Sequence, residues 1–216
     1  NLGNNSQSIT IDTSRNETKD LYLSGRKFFH GEIVGDGRVI HESGDTFIYE
    51  NSSYTGQTIF AGGQAIIGEP RAFGENGTIA VLPEGPGDNV ISPLDEDLTI
   101  VYDFELYGDI GFGGRHDQLE GFRPDQTRPF EPFQLTVDGE IEVLNGNRTI
   151  RAQEASNIVI DGPINMGPNE LTFNTIGSAS LRVTGPLSSS DNPGGLVKTG
   201  EGNLILDGDN LAQTGD

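Results

Sequence analysis

Four copies of one short pattern decide the fold of this chain of 216 residues. They read LTVDG at 135–139, IVIDG at 158–162, LRVTG at 181–185 and LILDG at 204–208. The copies follow one another at a constant interval along the chain, and this holds over three successive steps. A fixed period of about 23 residues indicates repeated structural units that stack in a row.

Each unit has the alternation of apolar and polar residues that is typical of a β-strand. In the first copy the apolar residues Leu135 and Val137 flank Thr136, and a glycine closes the run. A period of two, with turn residues between short runs, indicates strands rather than the longer units of helical solenoids. We therefore predict an all-β fold: a right-handed parallel β-helix, or solenoid, with coils of about 23 residues and inserted loops.

Residues that lie one unit apart should form ladders inside the tube, because neighbouring strands stack at roughly 4.8 Å. The chain offers four such ladders. They are Leu135, Ile158, Leu181 and Leu204; Val137, Ile160, Val183 and Leu206; Ile141, Ile164 and Leu187; and Ile150, Phe173 and Leu196. About eight coils in total would give a rod roughly 40 Å long.

The pattern continues upstream with looser spacing. Further copies occur at 104–110 and 21–25. The first of these precedes Leu135 by more than one unit, which we interpret as one unit plus an insertion. We interpret residues 1–216 as a single β-helix fragment with insertion loops at 83–97 and 111–134.

Two polar columns follow from the predicted stacking. We expect Gly139, Gly162, Gly185 and Gly208 to supply the positive φ of a turn between two faces of the coil. Asp138 and Asp161 would lie on adjacent coils, where like charges repel. We expect each aspartate to cap its own turn by accepting backbone N–H bonds, and a bound cation is the alternative.

Charge and composition exclude several functions. The 33 acidic residues outnumber the 13 basic ones, and the net charge of −20 would repel a phosphate backbone and an anionic membrane surface. The chain has no cysteine, so a thiolate nucleophile and a cysteine-ligated metal are ruled out. We predict no nucleic-acid partner, no membrane insertion by this segment, no metal and no cofactor.

One stretch has a recognisable family pattern. Residues 194–210, GGLVKTGEGNLILDGDN, strongly resemble the passenger-associated transport repeat of bacterial autotransporters. Residues 37–63 look like a second, more diverged copy, with GDTFIY at 44–49 and YTGQTI at 54–59. Both copies contain an asparagine, three residues and Thr-Gly, at 51–56 and at 210–215.

The resemblance implies a right-handed parallel β-helix that is exported through an outer membrane. It would then be displayed on, or released from, the surface of a Gram-negative-type bacterium. Since the chain begins without methionine and the second copy stops in mid-repeat, we expect a fragment of a longer solenoid. The end coils would then be open to axial association with another chain.

Paired carboxylates are the enzymatic option that the residues leave open. Serine-hydrolase, metalloprotease and phosphate-loop patterns are missing from the sequence. Asp103 and Glu105 flank the apolar Phe104 and so should share an outward face. Their spacing of about 6 to 7 Å suits attack on a glycosidic bond, as in β-helix enzymes that degrade polysaccharides.

The insertion at 111–134 is the candidate binding segment, because long irregular segments in a compact fold are functional or mobile. Arginine and aromatic side chains together suit a contact with a glycan or a protein. The candidate binding residues are Arg115, His116, Phe122, Arg123, Arg128 and Phe130. The alternative is that Phe130 and Phe133 merely pack the insertion onto the tube. Arg128 would then pair with Asp125 or Glu131.

Two functions are therefore compatible with the sequence. The first is a non-enzymatic extracellular or cell-surface segment that acts as a structural stalk, an adhesin or a filament-forming unit. The alternative is a β-helix lyase or glycoside hydrolase that uses Asp103 and Glu105. The acidic surface would keep either protein soluble.

Overall fold

The protein is a parallel β-solenoid of about seven turns. The computed structural model describes residues 11–15, 19–83, 88–113, 133–153, 155–190 and 194–207. Successive strands of each sheet pair in parallel, so each coil adds one strand to a sheet. The predicted all-β parallel β-helix is confirmed.

Three sheets form the faces of the solenoid. Sheet 1 contains Asp20–Ser24 (β2), Arg38–Ser43 (β5), Thr58–Phe60 (β7), Thr78–Val81 (β9), Asp103–Leu106 (β12), Ile141–Val143 (β15), Ile164–Asn165 (β18) and Leu187–Ser188 (β21). Sheet 2 contains Lys27–Phe29 (β3), Asp45–Ile48 (β6), Gln64–Ile67 (β8), Val90–Pro93 (β10), Ile110–Phe112 (β13), Arg148–Ala152 (β16), Leu171–Thr175 (β19) and Leu196–Thr199 (β22). Sheet 3 contains Leu98–Ile100 (β11), Gln134–Val137 (β14), Asn157–Ile160 (β17), Ser180–Val183 (β20) and Asn203–Leu206 (β23). A short pair, Ile11–Asp12 (β1) with Ile33–Val34 (β4), and a 3₁₀ turn at Thr13–Arg15 lie near the start.

The regular repeat in the sequence corresponds to the last coils of sheet 3. Leu135 pairs with Ile158, which pairs with Leu181, which in turn pairs with Leu204. The ladder from Val137 to Leu206 has the same register. The predicted column of Ile141, Ile164 and Leu187 is also confirmed, in sheet 1. These ladders are the core, since every member up to Val183 is fully buried.

The fourth predicted column is correct in its first step and wrong in its second. Ile150 pairs with Phe173 in sheet 2, but Phe173 then pairs with Lys198, whereas Leu196 pairs with Leu171. The coil from Leu171 to Leu196 is therefore longer than the regular repeat by two positions. The extra length moves Leu196 away from the predicted position.

The assignment of the upstream copies was also wrong. Phe104 pairs with Ile141 in sheet 1, and the partner of Leu135 in sheet 3 is Leu98, which lies further upstream than Phe104. The copy at 21–25 likewise belongs to sheet 1, because Leu21 pairs with Val39. Strands with this alternation occur on all three faces, as β12, β14 and β16 show, so a short pattern of this kind does not identify the face.

The glycine column is required for close approach rather than for positive φ. Gly139, Gly162 and Gly185 do not have positive φ. A Cβ atom at Gly162 would overlap the carbonyl oxygen of Gly139, and one at Gly185 would overlap that of Gly162. Positive φ occurs instead in stacked glycines between sheets 1 and 2, among them Gly44 (φ 76°) and Gly63 (φ 89°). The predicted role was wrong for the three described glycines, although they do lie at turns between faces.

The segment 83–97 is not an insertion loop. Its residues Val90–Pro93 form β10, which is buried throughout and pairs with β8 and β13. The strand is short and lies between acidic turns, which hid it in the sequence. The predicted insertion at 111–134 is shorter at both ends, since Gly111 and Phe112 belong to β13 and Gln134 belongs to β14.

The two segments that resemble each other occupy different faces. The segment 37–63 contributes β5 to sheet 1 and β6 to sheet 2, with Gly44 between them. The segment 194–210 contributes β22 to sheet 2 and β23 to sheet 3, with Gly200 between them. Both glycines have a φ of 76°, so the shared feature is a strand, a left-handed glycine and a second strand at a corner.

Candidate functional site

Four carboxylates lie together on the outside of sheet 1. Phe104 is buried while Asp103 is exposed and Glu105 is half-buried, so the prediction that both acids face outward is confirmed. The register places Glu105 beside Glu142 of the next coil and Asp103 beside Glu140. We call Asp103, Glu105, Glu140 and Glu142 the acidic face.

Asp103 connects two coils. Its Oδ1 atom accepts a hydrogen bond of 2.8 Å from the backbone nitrogen of Glu140, at the corner where β15 begins. Along one strand the carboxylates of Asp103 and Glu105 are separated by two residues, or about 6 to 7 Å. That separation is compatible with acid–base chemistry on a glycosidic bond, which uses carboxylates about 5 to 9.5 Å apart. The acidic face therefore has a suitable spacing on an open sheet surface.

The aspartate column contains an interaction that the sequence did not predict. Thr184 lies one unit after Asp161, and its hydroxyl donates a hydrogen bond to the carboxylate of Asp161 in the preceding coil. The hydroxyl of Thr184 also donates to the carbonyl oxygen of Ile160 at 3.3 Å. The observed contact of Asp161 thus joins two coils, whereas we had expected it to cap its own turn. Among the described residues no group of three or more histidine, aspartate and glutamate side chains could hold a metal ion.

The predicted binding residues of the insertion lie outside the described residues. They are Arg115, His116, Phe122, Arg123, Arg128 and Phe130. The chain is described again from Phe133, and the backbone nitrogen of Gln134 donates a hydrogen bond of 2.7 Å to the carboxylate of Asp97. Both flanking strands are ordered parts of the solenoid, since β13 belongs to sheet 2 and β14 to sheet 3. The insertion therefore starts and ends on two different faces.

His41 is a buried titratable residue that the sequence did not single out as functional. It is 2% exposed and occupies an inward ladder of sheet 1, between Leu23 and Phe60. Its ring stacks on Phe60 at a centroid distance of 4.5 Å and meets the edge of Phe73 at 5.9 Å. Neither ring nitrogen has a hydrogen-bond partner among the described residues, and burial lowers the pKa of His41 to about 3. The imidazole is thus held neutral in an aromatic environment.

Neither the burial of His41 nor the full acidic face could be predicted from the sequence alone. His41 shares the inward face of β5 with Val39, but Ile40 between them is buried too, so alternation in the sequence does not by itself place the histidine inside. Glu140 and Glu142 could not be assigned to the acidic face, because a coil much longer than the regular repeat separates them from Asp103 and Glu105.

None of the described segments is a helix that is long and apolar enough to cross a membrane.

Comparison with known proteins gives no relative for this chain. No protein-family model, no curated protein and no solved structure matches it.

Proposed function

We propose that this chain is a non-enzymatic segment of an extracellular β-helical protein, acting as a structural stalk, an adhesin or a filament-forming unit. The observation that carries the proposal is the unbroken stacking of sheets 1 and 2, each of eight strands. Each coil lengthens the rod by about 4.8 Å and buries its apolar residues against its neighbours. This architecture suits a protein that spans a distance or presents a surface.

Surface localisation is supported by two features. The residues GGLVKTGEG at 194–202 resemble autotransporter passengers, which are exported by Gram-negative-type bacteria. The net charge of −20 would keep separate copies soluble outside the cell. The protein would then be found on the cell surface or in the medium.

Two modes of partner binding belong to this proposal. The residues of the insertion named above would contact a glycan or a protein. Axial self-association is the second mode. The outermost strands of a parallel sheet offer unpaired backbone N–H and C=O groups, with which a coil of a second copy could pair.

The localisation can be tested on intact cells of the source bacterium. An antibody against the solenoid should label unbroken cells or the culture medium, and added protease should remove the surface label. Labelling that appears only after the cells are broken would contradict the proposal. A cytoplasmic marker protein serves as the control for cell integrity.

A β-helix enzyme that degrades polysaccharides is the second candidate, and the spacing of Asp103 and Glu105 favours it. The test is the release of new sugar ends from a panel of acidic and neutral polysaccharides. Under the first proposal no polysaccharide is cleaved. Under the second, cleavage occurs and is lost in Asp103→Asn but kept in Asp45→Asn, a matched change on β6 of sheet 2.

A further inference from the structure

A cleft opens at the corner between sheets 1 and 2. It has a volume of about 340 Å³ and lies between two successive coils. Its lining residues are Glu142, Val143, Leu144, Asn145, Asn165, Gly167, Pro168 and Asn169. The volume is within the range of about 300 to 1,000 Å³ that is typical of small-molecule sites.

The cleft exists because the corner becomes longer at this point of the solenoid. From sheet 1 to sheet 2 the chain takes five residues between the paired positions Glu105 and Ile110. The corresponding step takes eight residues from Glu142 to Ile150 and again eight from Asn165 to Phe173. Two protruding corners, at 142–150 and 165–173, therefore stack on a shorter one at 105–110. The cleft lies between the two protruding corners.

Hydrogen bonds join the two protruding corners to each other and fix the shape of the second one. The side-chain nitrogen of Asn169 donates to the carbonyl oxygens of Val143 at 2.9 Å and Met166 at 3.1 Å. Asn165 Oδ1 accepts a bond of 3.1 Å from the backbone nitrogen of Gly167, which has a φ of 53°. These bonds fix the lining of the cleft before any ligand binds, which reduces the entropy that binding would lose.

Arg148 binds the backbone of the same lining through hydrogen bonds. Its guanidinium donates to the carbonyl oxygens of Leu144 at 2.8 Å and Asn145 at 2.9 Å. Its Nε atom donates to the carbonyl oxygen of Leu106 in the preceding coil at 3.2 Å. One side chain therefore links the short corner to the first long corner through hydrogen bonds.

Several polar groups at the cleft have no partner within the described part of the chain. They are the carboxylate of Glu142, the side-chain amide of Asn145, the Nδ2 atom of Asn165 and the Oδ1 atom of Asn169. The set contains both donors and acceptors. Leu144 and Pro168 contribute apolar surface beside them.

We propose that this cleft binds a neutral saccharide of roughly one or two rings. A sugar hydroxyl donates and accepts hydrogen bonds at the same time, so it matches a mixed set of amide and carboxylate groups. The apolar surface of Leu144 and Pro168 suits the C–H face of a sugar ring. The nearby acidic face disfavours an anionic sugar, because like charges repel. This inference does not depend on the role proposed above for the whole chain.

The test uses the whole chain labelled with nitrogen-15 and defined disaccharides as probes. The neutral probes are maltose, cellobiose, lactose and mannobiose, and the comparison probes are digalacturonate and calcium chloride. At least one neutral disaccharide should shift the side-chain amide resonances of Asn165 and Asn169. If no neutral probe shifts these resonances, or if only digalacturonate or calcium does so, the proposal is wrong.

Two variants and one control tie the binding to the cleft. Asn165→Asp keeps the acceptor for Gly167 but removes the free donor, and Glu142→Ala removes an exposed group without a partner in the described chain. Each variant should weaken binding about tenfold, the equivalent of one hydrogen bond to a ligand. Asn76→Asp is the matched control, since Asn76 Oδ1 likewise accepts from the backbone nitrogen two residues on, and it should bind normally. Unchanged binding in both variants, or equal weakening in the control, would overturn the assignment.

Discussion

Acid should destabilise this solenoid through His41 in particular. The folded protein holds the imidazole neutral with a pKa of about 3, because the ring is buried against Phe60 and Phe73. In the unfolded chain the pKa is about 6.5. Between these two values the unfolded chain binds more protons than the folded one, so stability falls as the pH is lowered below about 6.5.

The magnitude follows from the difference between the two pKa values. Each pH unit below the unfolded pKa lowers the free energy of unfolding by about 1.4 kcal/mol. At about pH 4.5 the loss is about 3 kcal/mol, and it reaches its limit of about 5 kcal/mol near the folded pKa. Such a loss is a large part of the stability of an ordinary domain, which is about 5 to 15 kcal/mol.

The assay is urea unfolding at about pH 7.5 and about pH 4.5 for the natural protein and for His41→Phe. The many carboxylates also change charge in this range, so the informative quantity is the difference between the two proteins. His41→Phe should lose about 3 kcal/mol less than the natural protein over this interval. His30→Phe is the control, because His30 is exposed and stacks on Tyr49 at 4.0 Å. Equal pH dependence of His41→Phe and the natural protein would refute the reasoning.

Two further predictions concern the packing between coils. Gly162→Ala should destabilise the fold by about 2 to 3 kcal/mol in urea unfolding, because its Cβ would overlap the carbonyl oxygen of Gly139 in the preceding coil. Gly77→Ala, with open space around it, should change stability by less than about 1 kcal/mol, and equal effects of the two variants would contradict the stacking. Tyr54→Phe should cost about 1 to 2 kcal/mol because the buried hydroxyl of Tyr54 bonds with that of Thr58 at 2.5 Å. Tyr22→Phe should cost less, under about 0.5 kcal/mol, because the hydroxyl of Tyr22 is on an exposed residue and its bond to Asp20 is long, at 3.4 Å. The same unfolding experiment measures both pairs, and a larger loss in Tyr22→Phe would contradict the second prediction.

The last coils of sheet 3 could be predicted because their length is constant. Between Leu135 and Leu206 every strand of this sheet recurs at the same interval, and the inward residues are aliphatic at each step. Alternation then gives the inward and outward faces directly. The sequence therefore contained both the strand register and the buried ladders of this region.

The upstream coils could not be assigned in the same way, because their lengths vary. The coil that joins Asp45 to its partner Gln64 is only about half as long as the one that joins Leu98 to Leu135. With variable corners and the same alternation on three faces, the number of residues between two motifs does not determine which face each motif occupies. β10 could not be recognised in the sequence either, because it is only four residues long and lies between acidic turns.

The role of the glycine column depended on distances that no single coil reveals. Gly139, Gly162 and Gly185 follow their strands as turn glycines do, so positive φ was the natural expectation. Their actual requirement is the short distance between the backbones of successive coils at this corner. The distance between the two backbones is known only once the position of one coil on the next is known.

For the candidate sites too, the features of an alternating strand could be predicted, and the contacts between coils could not. Alternation alone places Asp103 and Glu105 on the outside, whereas β5 is buried at Val39, Ile40 and His41 in succession and gives no such indication for His41. Joining Glu142 to the acidic face, and finding the cleft beside it, required the register across a long coil. Residues from separate coils form a surface only through that register.

Distances between spin labels on one outward ladder test the central claim most directly. Tyr22, Glu105, Glu142 and Ser188 occupy the outward column of sheet 1, and the natural chain has no cysteine to interfere with labelling. Measured from Tyr22, the backbone separations should rise to roughly 19, 24 and 34 Å for these three positions, in equal steps of about 4.8 Å per strand. Distances that do not increase in this order would contradict the stacking of one coil upon the next.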